Sequence, residues 1–403
     1  MTYSTAQTES MEHEYATLVL GGIGALGDCY AQFEDETINV FGGIPGEEVV
    51  ARIVRYRRRR KRYVSGLVTE VLNPSPHRVA TPCPYFGPCS GCQWQHIEYS
   101  HQLRMKQDGV ASELSRYPEL ESIAVSPTVP SPQMFNYRNH ARFTVRNQGS
   151  LGFNNRITRR FVKIDDCMLM APGINQALRS LQDRCQETTQ LSIRYGINTD
   201  DLLIQPTLQN IDIPLPSGQT HYREKLLGHA FRVASPSFFQ VNTRQAEQMI
   251  ELVRERLDLS KSDTLLDAYA GVGSFAILLA PYVRRVVAIE ESAAAIKDAS
   301  ENAEGADNLE FMEAKTEDAL DSMKEAPDAV ILDPPRTGCD AKALRALIRL
   351  APRRVVYVSC EPETLARDLS LLVNGPFRVE SVEPIDMFPQ TYHIETIATL
   401  KLE

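Results

Sequence analysis

From residue 236 onward the chain alternates between two kinds of stretch, and no other feature narrows its fold as much. The apolar segments TLLDAYAG, RRVVAIEES, AVILDPP, RRVVYVSC and HIETIATLKL take turns with the helical segments TRQAEQMIELVRERL, SFAILLAPYV, AAAIKDASENA, AKALRALIRLA and PETLARDLSLLV. Strands that are apolar nearly throughout, separated by amphipathic helices, require a parallel or mostly parallel sheet covered on both faces. In an open sheet of that kind ligands bind beyond the carboxyl ends of the strands.

Several chemically loaded residues fall at those ends. In LLDAYAGVGSFA, Asp267 is followed by Gly271 and Gly273, a strand, a glycine turn and a helix. Glycine lets a ligand approach the backbone, and Glu290, at the end of the next strand, is placed to accept from ribose hydroxyls. AVILDPPRTG delivers Asp333 into a Pro-Pro turn with no backbone donors of its own. That turn resembles the fourth motif of S-adenosylmethionine-dependent methyltransferases more than any dehydrogenase element. RRVVYVSC ends in Cys360, directly before a helix whose N-terminus could favour the thiolate.

A cysteine is more often a small buried hydrophobe than a reagent, but beside a methyl donor it has a specific use. Carbon 5 of uracil is a poor nucleophile until a thiolate adds at carbon 6. A base must afterwards remove the proton from carbon 5. Glu395, an acid inside the apolar terminal strand, is the candidate, because a buried carboxylate needs either a partner or a task. His393, two residues earlier, is the competing base.

The N-terminal part reads differently. Residues 14–75 break into short strands divided by glycine-rich turns, the pattern of a small closed barrel. Within or beside its third strand (INVFGGIPGEEVVARIV) and its fourth (YVSGLVTEVL), residues 52–62 (RIVRYRRRRKR) carry eight Arg or Lys in a chain of net charge -9. The bland reading is a solvated strand edge; the functional one is a grip on nucleic-acid phosphates. A linker is expected at 73–82, a helix over about 96–116, and a basic mixed α+β region to residue 235. Between linker and helix, Cys83, Cys89 and Cys92 are closely spaced in a turn-rich stretch, and Cys167 lies far downstream. Four thiolates suit zinc or a [4Fe–4S] cluster equally. The N-terminus lacks a signal-peptide pattern and no apolar run reaches membrane-spanning length, so a cytoplasmic protein with no membrane partner is expected.

Taken together, SFFQVNTRQAEQM, LDAYAGVGSF, LDPPRTG, YVSCEPETLARDL and DMFPQTYHIET resemble the RNA uracil-5-methyltransferases, and CPYFGPCSGC looks like the iron–sulfur motif of the ribosomal RNA members. The resemblance spans essentially the whole chain. It implies a TRAM-like, OB-type RNA-binding barrel at 1–74, a mixed α+β iron–sulfur domain at 75–235 and a Rossmann-like class I methyltransferase domain at 236–403. It carries S-adenosylmethionine contacts onto Gln240, Tyr269, Gly271, Gly273, Ser274, Glu290 and Asp333, the nucleophile onto Cys360 and the base onto Glu395. It puts a [4Fe–4S] cluster on Cys83, Cys89, Cys92 and Cys167. Ser274 departs from the family, which carries asparagine there.

The expected function is methylation of carbon 5 of a uridine flipped out of structured RNA, with an aromatic such as Phe388 or Tyr392 as the expected stacking partner of the flipped base. Ribosomal RNA is the preferred substrate, transfer RNA the alternative, and a monomer the default. Cytosine-5 methylation is a rival, but its enzymes present Pro-Cys in the fourth motif, which Asp333-Pro-Pro-Arg lacks. An iron–sulfur oxidoreductase binding a dinucleotide leaves Cys360 and Glu395 idle, and a non-catalytic RNA-binding module needs none of the C-terminal constellation.

Overall fold

The computed structural model describes residues 14–58, 61–155 and 157–403. The first thirteen residues, together with Arg59, Arg60 and Arg156, lie outside the described residues, as do the side chains of Arg57 and Arg58. The reading of the N-terminus and the centre of the arginine run therefore fall outside them as well. The chain forms two compact units, one from Met1–Glu98 with Asn154–Arg160 and the other from Tyr99–Phe153 with Phe161–Glu403. Residues 75–235, read from sequence as one domain, are distributed over both.

In the first unit β1 (Tyr15–Val19), β2 (Cys29–Phe33), β3 (Glu36–Phe41), β4 (Glu48–Arg58) and β5 (Lys61–Asn73) make one sheet in the order β1-β4-β5-β3-β2. Its two end strands approach one another where Gly21 donates to the Tyr30 carbonyl at 2.8 Å and Tyr30 donates to that of Gly22 at 3.1 Å. A Cβ on Gly21 would stand 2.4 Å from the Tyr30 ring, so this seam needs glycine. Inside lie Leu18, Val40, Val49 and Ala51.

The described part of the basic run lies in β4 and β5, the strands that the sequence reading counted as third and fourth. INVFGGIPGEEVVARIV is broken by Gly42 and Gly46, both at φ +87°, into two strands where one was expected. The stretch expected as a linker is docked: Arg78 grips the buried Glu47 through Nε at 2.7 Å and Nη2 at 2.6 Å.

The second unit opens with α1 (Tyr99–Leu114). It continues with β6 (His140–Arg146), β7 (Ser150–Asn154), β8 (Phe161–Lys163), α2 (Pro172–Leu181), β9 (Gln190–Tyr195) and β10 (Leu202–Gln205), and then the hairpin of β11 (His221–Leu226) and β12 (His229–Ala234). The alternating region supplies α3 (Thr243–Leu257), β13 (Thr264–Asp267), α4 (Ser274–Leu279), β14 (Arg285–Glu290), α5 (Ala293–Asn302), β15 (Leu309–Glu313) and α6 (Thr316–Ser322). It ends with β16 (Ala329–Leu332), α7 (Ala341–Leu350), β17 (Arg354–Ser359), α8 (Pro362–Val373), β18 (Phe377–Ile385) and β19 (Glu395–Leu402).

These last strands form a seven-stranded sheet, β15-β14-β13-β16-β17-β19-β18, parallel except for β19, which runs antiparallel to both neighbours. The period of two along each strand divides its side chains between two cores. Leu265, Val286, Ile331 and Val356 join a core with α3, α4 and the β11–β12 hairpin. Leu266, Val287, Val330 and Val355 join another with α1, α7 and α8. Helices flank both faces as the apolar strands required. Within α7, Ala343, Leu344, Leu347 and Leu350 form the buried stripe, and Asp340 caps its N-terminus by accepting from the Lys342 N–H at 2.7 Å.

Candidate active site

The strand order reverses between β13 and β16, and at that point, beyond the carboxyl ends of the strands, a cavity of about 1000 Å³ opens. Gln240, Tyr269, Gly271, Ser274, Glu290, Asp333, Cys360 and Glu395 all line it. Gly273 does not, but it caps α4 at φ +86°, where a Cβ would meet Ile277 Cδ1 at 2.8 Å. Gly271, at φ +54°, faces open space. The glycine turn thus leaves room for a ligand at one position and for close helix packing at the other.

Glu290 is held by its own neighbourhood. Its carboxylate accepts from the backbone N–H of Gly271 at 2.9 Å and of Ser292 at 2.8 Å, which fixes the acid against the turn. Asp267 is fully buried beneath the turn and accepts from the Ala276 N–H at 3.0 Å, while its Oδ1 has no hydrogen-bond partner. Burial first, and then the neighbouring charges of Asp333 and Glu290, push its carboxyl up to about 7. Burial alone pushes Asp333 up to about 7. A cavity with an open glycine turn, a fixed acid and an acid on a Pro-Pro loop suits a ligand carrying both hydroxyls and positive charge.

The loop bearing Asp333 is anchored from α8. Asp368, fully buried, accepts from the Cys339 N–H and the Tyr357 hydroxyl, each at 2.7 Å, and pairs with Arg367 at 2.7 Å. Gly338, at φ +75°, is pressed against this pair, its Cβ position lying 2.7 Å from Asp368 Oδ2.

Cys360 ends β17 one residue past Ser359, before the first residues of α8. The expectation that the α8 N-terminus would favour a thiolate is not met. Burial, followed by the charge of Glu395 and opposed by Arg336, pushes the thiol up to about 12, so it rests protonated at neutral pH. Glu395, 5% exposed at the start of β19, is raised well above the usual carboxylate range by burial and then by Asp333, again with Arg336 opposing. His393 precedes the strand, outside the cavity lining, and burial together with Arg336, Lys106 and Arg138 lowers it to about 4. Among the two candidate bases, the acid faces the thiol's cavity.

Arg336 was not singled out from sequence, although it stands in the LDPPRTG motif. It is the cation that acts on both Cys360 and Glu395, and its Nη2 lies 3.3 Å from His393 Nδ1. Cys339 is buried and also lines the cavity.

Among the described residues no group of three or more His, Cys, Asp or Glu is placed to hold a metal ion. Cys89 and Cys92 line a cavity of about 350 Å³ in the first unit, and Cys83 does not. The Cys89 sulfur accepts from the Gly91 N–H at 3.4 Å, and the Cys92 sulfur from Gln95 Nε2 at 3.1 Å. Cys167 belongs to the second unit, where Asn175 clamps its backbone.

Comparison with known proteins decides the family. The family model for tRNA (Uracil-5-)-methyltransferase matches residues 223–402. An uncharacterized RNA methyltransferase of Thermosynechococcus vestitus is 32% identical over 95% of this chain and 97% of its own. The chain belongs to the RNA (uracil-5-)-methyltransferase family. Another relative, an uncharacterized RNA methyltransferase of Listeria monocytogenes, is 31% identical over 96% of this chain and 97% of its own. Among solved structures, the tRNA (uracil-54, C5)-methyltransferase of Pyrococcus abyssi, crystallised with S-adenosyl-L-homocysteine, matches with a TM-score of 0.72. That match has 26% identity over 96% of this chain and all of its own. As an RNA (uracil-5-)-methyltransferase, the protein is an enzyme that transfers a methyl group to carbon 5 of uracil. Among the described residues no helix is long and apolar enough to cross a membrane.

Proposed function

We propose that this enzyme takes its methyl group from S-adenosylmethionine and delivers it to a specific uridine of structured RNA, with 23S ribosomal RNA as the preferred substrate. The observation that carries the reading is the meeting of Cys360, Glu395 and Asp333 in one cavity with the open glycine turn. Gln240, Tyr269, Gly271, Ser274, Glu290 and Asp333 would hold the cofactor, Glu290 taking ribose hydroxyls, and Gly273 would set the turn. When bound, S-adenosylmethionine supplies an electrophilic methyl group to the cavity.

The Cys360 thiol gives its proton to water as its sulfur bonds to carbon 6 of the uracil, and the carbon 5–carbon 6 π pair moves toward carbon 5 and the carbonyl. Carbon 5, now nucleophilic, would take the methyl group as the donor's sulfur–methyl bond breaks, leaving S-adenosylhomocysteine. Glu395, whose raised proton affinity suits a base working near neutral pH, then removes the proton from carbon 5. The double bond re-forms and the sulfur–carbon 6 bond breaks, returning Cys360. Arg336 offsets negative charge around both groups. The uridine must leave its stack to reach Cys360, and Phe388 or Tyr392 is the proposed stacking partner.

The barrel is taken as a TRAM-like RNA-binding module gripping phosphates through the basic run on β4 and β5. The [4Fe–4S] assignment of Cys83, Cys89, Cys92 and Cys167 rests on their spacing and the resemblance alone, and no step passes through it. The enzyme is taken to act as a cytoplasmic monomer. Transfer RNA is the second reading, favoured by the Pyrococcus abyssi relative.

Purified protein incubated with labelled S-adenosylmethionine and unmodified ribosomal or transfer RNA, followed by nucleoside mass spectrometry, tests the reading. 5-Methyluridine is expected in one RNA and absent with Cys360→Ala, a loss on the order of 10⁴-fold or more. Equal product from that variant removes the covalent mechanism. Methylation of transfer RNA alone selects the second reading.

A further inference from the structure

Several arginines of the second unit are matched with acids: Arg232 with Asp298, Arg256 with Glu383, Arg353 with Asp263, Arg354 with Glu380 and Arg367 with Asp368. Three that stand together are not. Among the described residues Arg138, Arg142 and Arg194 have no carboxylate partner. In a chain of net charge -9, leaving three guanidinium groups unmatched side by side costs repulsion that pairing elsewhere avoids.

The sheet brings them together. Ala141, Phe143 and Val145 of β6 turn inward, which leaves His140 and Arg142 on the opposite face. In the antiparallel register with β9, His140 stands opposite Arg194 and Arg142 opposite Ser192. Arg138 Nε donates to the His140 carbonyl at 3.0 Å. Arg142 Nη2 reaches only a neutral acceptor, Gln190 Oε1 at 2.6 Å, and its side chain is exposed. Arg194 is 7% exposed, and its Nε has no hydrogen-bond partner.

In their midst His140 bonds the Ser192 hydroxyl at 3.0 Å. Burial and then Arg194, Arg138 and Arg142 pull that histidine down to about 3, so it stays neutral and adds no further repulsion.

This group adjoins the reaction cavity. Asn139, between Arg138 and His140, donates its backbone N–H to Val241 at 2.9 Å and its side-chain Nδ2 to the Gln240 carbonyl at 2.9 Å. Gln240 lines the cavity. On the other side, Arg138 acts on His393, which Arg336 also contacts.

We propose that Arg138, Arg142 and Arg194, with His140 and the Ser192 hydroxyl, form a phosphate site for the RNA backbone flanking the target uridine. The proposal rests on the RNA reading above. Planar guanidinium groups match phosphate oxygens, and a phosphate supplies the negative charge these three lack. An anchored phosphate beside the cavity would also hold the strand while its uridine swings out, work that sequence-independent binding elsewhere cannot do.

The test is the salt dependence of binding of a fluorescein-labelled, single-stranded, uridine-containing RNA oligonucleotide. The wild-type enzyme is compared with Arg138→Gln/Arg142→Gln and with the charge-retaining Arg138→Lys/Arg142→Lys. Each lost phosphate contact on a single strand lowers the slope of log affinity against log salt by about 0.7. The glutamine pair is therefore expected to flatten the slope by about 1.4, and the lysine pair to keep most of it, with affinity for S-adenosylhomocysteine unchanged in both.

If the glutamine pair fails to fold, Arg142→Gln alone carries the test with a drop of about 0.7. An unchanged slope in the glutamine variants, with the wild type binding RNA, overturns the site and leaves the methyltransferase reading standing. A wild type that binds S-adenosylhomocysteine but no RNA at any salt concentration overturns both.

Discussion

One stretch of ten residues, Asp386 to Glu395, carries a buried acid at each end, and the two are treated in opposite ways. Asp386 is fully buried and meets Lys106 of α1, itself fully buried, at 2.5 Å. Lys106 also donates to the Phe388 carbonyl at 3.2 Å, and Gln102, one turn earlier, exchanges hydrogen bonds with Gln390. Glu395 is nearly as buried but has no ion-pair partner among the described residues, and Asp333 raises its proton affinity further. An acid matched with a cation fixes a segment in place. An acid left unmatched in a cavity has a raised proton affinity, which lets it take up a proton during a reaction. The frame and the chemistry of this segment are separated by the presence or absence of one lysine.

The sharpest way to break the contrast is Glu395→Gln, which keeps shape and removes the base. Cys360 can still add to uracil, but the proton on carbon 5 has nowhere to go. Turnover is expected to fall by about 10²–10⁴-fold while a covalent protein–RNA adduct accumulates. A denaturing gel read for an RNA-shifted band checks this. A variant turning over near the wild-type rate, with no shifted band, would assign the proton to another group.

The other end should respond through stability. Lys106→Met leaves Asp386 buried without its cation, at an expected cost of about 3–5 kcal/mol in urea unfolding. Lys106→Met/Asp386→Leu removes both charges and is expected to recover most of that loss. A double variant as unstable as the single one would show that the pair does more than cancel charge.

How much of this could be read beforehand follows from the same physics. The strands at the centre of the large sheet, β13, β14, β16 and β17, are apolar nearly throughout and announce themselves. Its edges, β15 and β18, were not singled out, because LEFME and FRVESVEPI are half exposed and alternate apolar with charged residues. In β11 the sequence HYREKL reads as surface, yet Glu224 is fully buried, accepting from the N–H groups of Ile197 and Asn198 and from the Thr243 hydroxyl.

The cavity residues were legible because they stand at strand ends inside motifs. Arg336, Asp368 and the Lys106–Asp386 pair were not, since their roles depend on partners tens to hundreds of residues away. The resting state of Cys360 was misjudged for a related reason: a strand-to-helix junction shows the helix terminus, whereas the two acids that oppose the thiolate come from other strands.

The unmatched acids of the cavity also predict a dependence of stability on pH. Asp267 and Asp333 hold protons more tightly when folded, with values of about 7 against an ordinary value of 3.8. Their contribution is fully present below about pH 4 and is lost as pH rises through about 7. Glu47 in the first unit behaves oppositely. Burial works against its ionised form, but the hydrogen bond from Arg78 and the N–H groups of Ser75 and Ile44 hold it below the usual range, so its contribution is lost on acidification. Asp267→Asn is expected to gain stability over the wild type between pH 5 and 8, by a few kcal/mol at the alkaline end. Thermal unfolding of both proteins across that range checks the sign. A difference independent of pH would mean that Asp267 is ionised throughout.

The smallest effect belongs to Ser274, where the resemblance implied asparagine. Its side chain lines the cavity at the first residue of α4, but no hydrogen bond fixes it there, while the adjacent turn is fixed by Gly273 and by the bond from the Gly271 N–H to Glu290. The backbone therefore has more hold on a ligand at this point than the side chain has. Ser274→Asn adds one amide that can reach the ligand, worth about 1 kcal/mol if a single neutral hydrogen bond is gained. Affinity for S-adenosylhomocysteine, measured by titration calorimetry, is expected to change by less than about tenfold. A hundredfold change would mean that the side chain at position 274 carries the recognition and that the glycine turn only makes room for it.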